Sequence, residues 1–292
     1  MTKEVAIASG KGGTGKTFIA SNLAYFLSKE ESLSVVAVDA DVEAPDLILA
    51  LGGVKKITSS SPFYGSQIPQ IDYHKCIKCW RCIEACKFNA LLKDEEGPRV
   101  IPELCEGLGT CALVCPVGAI TFKEVKTGAI ISAISAEGIP VITGELELGG
   151  ENSGRLVYEL RERAQKLHPD LNIIDSAPGI GCPVISSIVG VNLLVEVIEP
   201  TPQSLKGALR LFETAKSLGI KTFVIINKYD LNPDFTRKIE NETDVEIIGK
   251  IEYNESVVKS YTSMTPLLKF EPNSRIANEL RKIFRIIMEE IT

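Results

Sequence analysis

The sequence has no surplus of positive charge and no long apolar run. Its 32 lysines and arginines stand against 38 aspartates and glutamates, a formal net charge of −6. A nucleic-acid footprint wants a basic balance, so no nucleic-acid partner is expected. The longest apolar stretch, residues 180–195, is interrupted by Cys, Pro, Ser, Gly and Asn and is stopped by Glu196. It falls short of the roughly 20 residues that a membrane span needs, and reads as a buried helix and strand. The first residues enter a glycine-rich motif without the charged and apolar regions of a signal peptide, so the expected location is the cytoplasm. Histidine is scarce: His74 and His168 stand alone, and His74 merely precedes the cysteines as a weak ligand candidate. What remains, 45% apolar and 24% charged over 292 residues, is the make-up of an ordinary globular chain with room for a sizeable core.

Cysteine is unevenly spread. Seven of the eight (Cys76, Cys79, Cys82, Cys86, Cys105, Cys111 and Cys115) fall between residues 76 and 115. In a reducing compartment such a cluster means metal more than disulfides. On either side of it the chain alternates β and α signals. Strands are expected at 4–8, 34–38, 139–143, 171–174, 193–198, 222–226 and 246–248. Helices are expected at about 16–29, 154–166, 201–217, 234–243 and 274–291. Residues 34–38 (SVVAV) are apolar without alternation, as in a strand buried on both faces. This pattern predicts an α/β fold, a doubly wound and mostly parallel sheet with helices on both faces. Residues 57–122 break the rhythm, first with Ser and Pro at 59–62 and then with the cysteines. They are expected to form a small inserted α+β module between the parts 1–56 and 123–292 of one α/β domain.

Gly10-Lys11-Gly12-Gly13-Thr14-Gly15-Lys16-Thr17 fits G-x-x-x-x-G-K-[ST], between an expected strand and an expected helix. Glycines let backbone N–H groups turn toward phosphate oxygens, and the helix N-terminus adds partial positive charge. Lys16 should reach the β- and γ-phosphates, and the Thr17 hydroxyl should ligate Mg²⁺.

The form Lys11-Gly-Gly-x-Gly-Lys16-Thr17 resembles the deviant Walker A of the MinD/ParA/Mrp/nitrogenase-iron-protein ATPases. The resemblance covers nearly all of residues 1–56 and 123–292. It implies ATP hydrolysis with Mg²⁺, and a homodimer with ATP at the interface in which Lys11 contacts the partner's nucleotide. It implies that Asp41, in Asp39-Ala40-Asp41, helps to position or activate the attacking water while Asp39 supports Mg²⁺ through its waters. Both carboxylates could instead cap the next turn. Asp175-Ser-Ala-Pro178-Gly179 resembles the second switch, where Asp175 would bind the Mg²⁺ shell and the Gly179 backbone would sense the γ-phosphate. Asn227, in Asn227-Lys228-Tyr229-Asp230, resembles the adenine-reading Asn, or is a turn residue at a strand end. Membrane-seeking members end in a basic amphipathic helix. Here Ile276, Leu280, Ile283, Phe284 and Ile287 recur at helical spacing, but the tip carries Glu289 and Glu290. An anionic membrane would repel it, so the helix is expected to pack on the core, with no membrane partner.

Cys76, Cys79, Cys82 and Cys86 form C-x₂-C-x₂-C-x₃-C, the bacterial ferredoxin run. Paired C-x₂-C also makes zinc sites, and zinc is the competing reading. The second run, Cys105, Cys111 and Cys115-Pro116, keeps the same frame with Leu108 in place of one cysteine. Crossing the fourth cysteines gives cluster one Cys76, Cys79, Cys82 and Cys115, as one [4Fe–4S] cluster. Cluster two receives Cys86, Cys105 and Cys111. Leucine cannot ligate iron, so this second cluster is expected to be [3Fe–4S], ahead of a [4Fe–4S] with one non-cysteine ligand or none at all. Cys182, beyond the second switch, is expected as a buried small hydrophobe, with a role in sensing the nucleotide state as the alternative. The whole chain thus resembles the MinD-superfamily ATPases that contain an inserted ferredoxin domain. Three purposes compete. The first is nucleotide-gated electron transfer to a redox partner, the second a carrier or maturation factor serving a client protein, and the third a non-redox positioning ATPase with structural clusters.

Overall fold

The computed structural model describes residues 2–291. The strands run in chain order: β1 Lys3–Ser9, β2 Val35–Ala40, β3 Val54–Phe63, β4 Ser66–Ile71, β5 Leu91–Lys93, β6 Pro98–Val100, β7 Ile120–Val125, β8 Gly128–Ser135, β9 Pro140–Leu146, β10 Leu171–Pro178, β11 Leu193–Ile198, β12 Thr222–Asn227 and β13 Glu246–Ile251. Nine of them make one sheet in the order β13-β12-β11-β1-β10-β2-β9-β8-β3. All the pairs from β13 to β9 are parallel. β1, β2 and β11 carry almost unbroken apolar residues with every position from their second residue onward buried, as expected for strands covered on both faces. The expected α/β architecture with a large, mostly parallel sheet is what the structure contains.

The chain divides into two compact units. The first comprises Met1–Ser61, Ala129–Leu146 and Ser153–Thr292 and holds the large sheet. Its core joins β1, β2 and β11 to helix Lys16–Tyr25 and to helix Arg275–Ile291. In that last helix Ile276, Leu280, Ile283, Phe284 and Ile287 are all buried, and Phe284 meets Phe26 with ring centroids 5.8 Å apart. The helix therefore spends its apolar stripe on the core. Among the described residues no helix is long and apolar enough to cross a membrane.

The second unit comprises Pro62–Gly128 and Glu147–Asn152. It contains the antiparallel pairs β4–β7 and β5–β6 and two short helices, Arg81–Ala85 and Thr110–Leu113. Its small core is Cys82, Leu91 and Ile120, with Ile71, Cys86, Cys111 and Cys115 packed against them. Thiol groups thus occupy positions that a small domain normally gives to aliphatic side chains.

Three local expectations fail. Residues 59–62 were expected to break regular structure, yet they lie within β3, at the edge of the large sheet. Edge strands tolerate exposed Ser and Pro because one row of backbone groups has no ladder partner to lose. β8 fell outside the expected strands because its helix-free connection to β9 does not follow the βα rhythm. Cys182 is exposed at the start of helix Cys182–Ile188, where only Val184, Ser187 and Ile188 are buried. It is not the buried hydrophobe expected.

Candidate functional site

β1 delivers the chain into the glycine-rich loop, and helix Lys16–Tyr25 begins as the loop ends. Gly15 takes φ 99°, a left-handed value that a side chain would strain. Side chains hold the loop carbonyls: Ser9 Oγ donates to Lys11 O (2.6 Å), Lys228 Nζ to Gly13 O (2.9 Å) and Asn227 Nδ2 to Thr14 O (2.7 Å). In a trans peptide the next N–H points opposite to the carbonyl, so Gly12, Thr14 and Gly15 turn their N–H groups away from those donors. That is the arrangement an anion cradle requires. Gly10 N–H donates to Glu196 Oε1 (2.8 Å), which fixes the loop entrance to β11. Sequence reading took Glu196 only as the end of an apolar stretch and gave it no role. Its signal was a lone carboxylate inside the apolar run LLVEVI of a strand buried on both faces.

Lys16 is 7% exposed and its charge acts on Asp41, Asp175 and Glu196. The parallel register of β2 and β10 sets Asp39 directly beside Asp175. Both are fully buried, and burial raises both carboxyls. Burial drives Asp175 up to about 7 against the opposing effects of Lys16 and Thr17. Asp39 is raised by burial and then by Asp175 itself. Neither oxygen of Asp175 has a hydrogen bond of normal geometry. Two adjacent buried carboxylates, one of them orphaned, with the Thr17 hydroxyl close by, form a donor set that could hold a divalent cation. Asp41 follows β2 and is half-buried. Burial raises its carboxyl, Lys16 lowers it, and Asp46, a carboxylate the sequence reading left out, raises it again.

Other expected residues are committed to partners. Lys11 Nζ pairs with Glu199 within the same chain, and Lys228 Nζ lies 3.2 Å from the other oxygen of that carboxylate. Burial would raise Glu199, but these two lysines hold it below its ordinary value. Gly179 N–H donates to Ser9 O (2.8 Å). Asn227, expected at the base, uses its amide on the phosphate loop and accepts from Lys228 N–H (3.0 Å).

In the second unit the seven cysteines line two separate cavities. One is lined by Cys76, Cys79, Cys82 and Cys115, together with Ile71, Trp80, Pro98 and Ile120. The other is lined by Cys86, Cys105 and Cys111, together with Leu108, Lys87, Phe88 and Phe122. Ala119 N–H donates to Cys115 Sγ (3.3 Å). Burial pushes the Cys82 and Cys111 thiols up, so bare protein keeps them protonated unless a cation reverses that. Among the described residues no three Cys, His, Asp or Glu side chains gather closely enough to hold a single metal ion.

The model of the CobQ/CobB/MinD/ParA nucleotide-binding domain matches residues 5–267. The chain belongs to this family. It is a P-loop ATPase of the MinD/ParA type. An uncharacterized protein of Methanocaldococcus jannaschii is 33% identical over 288 residues, covering 99% of this chain and 97% of its own. An iron-sulfur cluster carrier protein of Rickettsia typhi is 24% identical, covering 91% of this chain and 66% of its own. Among solved structures, the septum site-determining protein MinD of Pyrococcus horikoshii, complexed with Mg-ADP, superposes with a TM-score of 0.61 at 18% identity. That match covers 98% of this chain and 96% of the other, and shows the fold the two share.

Proposed function

We propose that this ATPase carries two iron–sulfur clusters on an inserted ferredoxin-like module and couples its nucleotide state to electron transfer with a redox partner. The observation that carries the reading is the sorting of seven cysteines between two cavities, four in one and three in the other. The division matches the crossed ligand pattern of a two-cluster ferredoxin. Cys76, Cys79, Cys82 and Cys115 would hold a [4Fe–4S] cluster. Cys86, Cys105 and Cys111 would hold a [3Fe–4S] cluster, with Leu108 at the corner that lacks a thiolate. Bound clusters would supply one-electron storage; the chain supplies the thiolates, the N–H donor to Cys115 and the apolar walls.

At the phosphate loop, which is of the deviant Walker A form, the substrate would be ATP with Mg²⁺. Gly10 to Thr17 would receive the phosphates, with Lys16 against the γ-phosphate. Thr17, Asp39 and Asp175 would hold the metal and its waters, and that would relieve the buried carboxylate pair. Asp41 would orient the attacking water. Lys11 would act across a homodimer after leaving Glu199, and Gly179 would report the γ-phosphate once its bond to Ser9 yields. Asn227 would set the loop beside the base. Charge developing in the transition state is then met by Lys16, the partner's Lys11 and loop amides already in place. We place the protein in the cytoplasm, where thiols stay reduced.

A second reading, a carrier of iron–sulfur clusters for a client protein, is favoured by the likeness to the Rickettsia carrier. Anaerobic reconstitution separates these possibilities. Electron-spin resonance should show an oxidised-state three-iron signal and a reduced-state four-iron signal from the same protein. Transfer of iron and sulfide to an apo-protein, with the donor left empty, favours the carrier. Reconstituted protein that never binds iron and sulfide rules out both.

A further inference from the structure

We propose that Tyr261 is a positioning residue for the hydrolysis loop: its hydroxyl donates to Asp46 and ties the segment 41–47 to helix Glu255–Thr262. The inference rests on the reading of Asp39 and Asp41 given above. Asp39 now holds both ends of that segment. Its Oδ1 accepts from Asp41 N–H (3.3 Å) and its Oδ2 from Leu47 N–H (2.9 Å). Between them lies one turn, closed by Ala44 N–H on Asp41 O (3.1 Å). A carboxylate that also serves a metal and its waters must share its lone pairs between them and the two backbone donors. The Tyr261–Asp46 bond does not use Asp39, so it keeps the loop in place when Asp39 is engaged.

The other end of the tether is firm. Asn254 caps the tyrosine's helix by accepting from Ser256 N–H (2.8 Å), and Val257 packs on the main core. Ser260 is buried and its carbonyl accepts from Thr265 N–H (2.9 Å). Leu268 N–H then donates to Asn22 Oδ1 (3.1 Å), on the helix that begins at the phosphate loop. Burial and the bond to Asp46 push the Tyr261 phenol well above its ordinary range, so it stays a donor. The ring is 43% exposed, so removing the hydroxyl opens no core cavity.

The test compares full-length protein with Tyr261→Phe, which keeps the ring and deletes the donor. With Mg-ATP, kcat should fall about tenfold, equivalent to about 1.4 kcal/mol, with KM within about twofold of the parent. The urea midpoint should not move, and amide exchange at residues 44–47 should quicken. Asp46→Ala, which removes the acceptor where Asn would keep one, should lose kcat in the same way, and the double variant should be no worse than the worse single one. Unchanged kcat in Tyr261→Phe overturns the proposal, as do single losses that multiply in the double variant. If Asp41→Ala hydrolyses ATP like the parent, the reading of the loop falls by itself. The tether is then judged by amide exchange alone, and unchanged exchange in Tyr261→Phe overturns it.

Discussion

Replacing Glu196 with Gln should reverse the order of stability between variant and parent as pH rises. Glu196 is 0% exposed and burial lifts its carboxyl from 4.5 to about 8, against the Gly10 N–H bond and the charge of Lys16. An acid whose native value lies above its unfolded value keeps its proton in the native state after the unfolded chain has lost it. The stability this gives is complete below about pH 4.5 and drains away as pH climbs toward about 8. Between about pH 5 and pH 8 that is about three units at 1.36 kcal/mol each, or about 4 kcal/mol. Gln has no proton to lose. It keeps an oxygen for Gly10 N–H but places an amide where Oε2 has no partner, a pH-independent cost of about 1–3 kcal/mol. The variant should therefore be less stable than the parent near the acid end and more stable near the alkaline end. Urea unfolding of nucleotide-free protein across that range measures the gap, and other titrating groups cancel in the difference. A gap that stays constant with pH refutes the reasoning.

Four more outcomes are expected. Lys16→Ala should weaken ATP binding at least about a hundredfold in a calorimetric titration, because a buried polyphosphate loses its main countercharge. Asp41→Ala should instead bind ATP and lose about 10²–10⁴ in kcat, the usual worth of a residue that handles the attacking water. Mixing Lys11→Ala with Asp41→Ala subunits should restore some hydrolysis, since one of the two composite sites in a mixed dimer is intact; no recovery under demonstrated exchange counts against the trans role. Leu108→Cys should raise iron from about seven to about eight per chain and remove the three-iron signal, because the thiolate arrives at the missing corner.

The parts legible in the sequence are those that repeat or pack. β1, β2, β10, β11 and β12 announce themselves as apolar runs because both faces are covered. The phosphate loop is legible because glycine positions and a lysine must be adjacent in sequence to surround a phosphate. Edge strand β3 was hidden because neither face nor ladder forces an apolar pattern on Val54–Phe63. Glu196, Asp46 and Tyr261 were missed for another reason. Each acts through one partner far away in sequence: Gly10 for Glu196, and Tyr261 with Asp46 across the fold. No spacing records such a pair. The resting partner of Lys11 was not legible either, since Glu199 meets it only when β11 folds beside β1.

The central claim is that nucleotide state reaches the clusters. The direct test is the midpoint potential of each cluster in anaerobic protein, measured without nucleotide, with Mg-ADP and with Mg-ATP held unhydrolysed by Asp41→Ala. Coupling predicts that at least one potential moves by about 60 mV or more between the ADP and ATP states, a tenfold change for one electron. Potentials that coincide in all three conditions, in protein shown to bind both nucleotides, would contradict it.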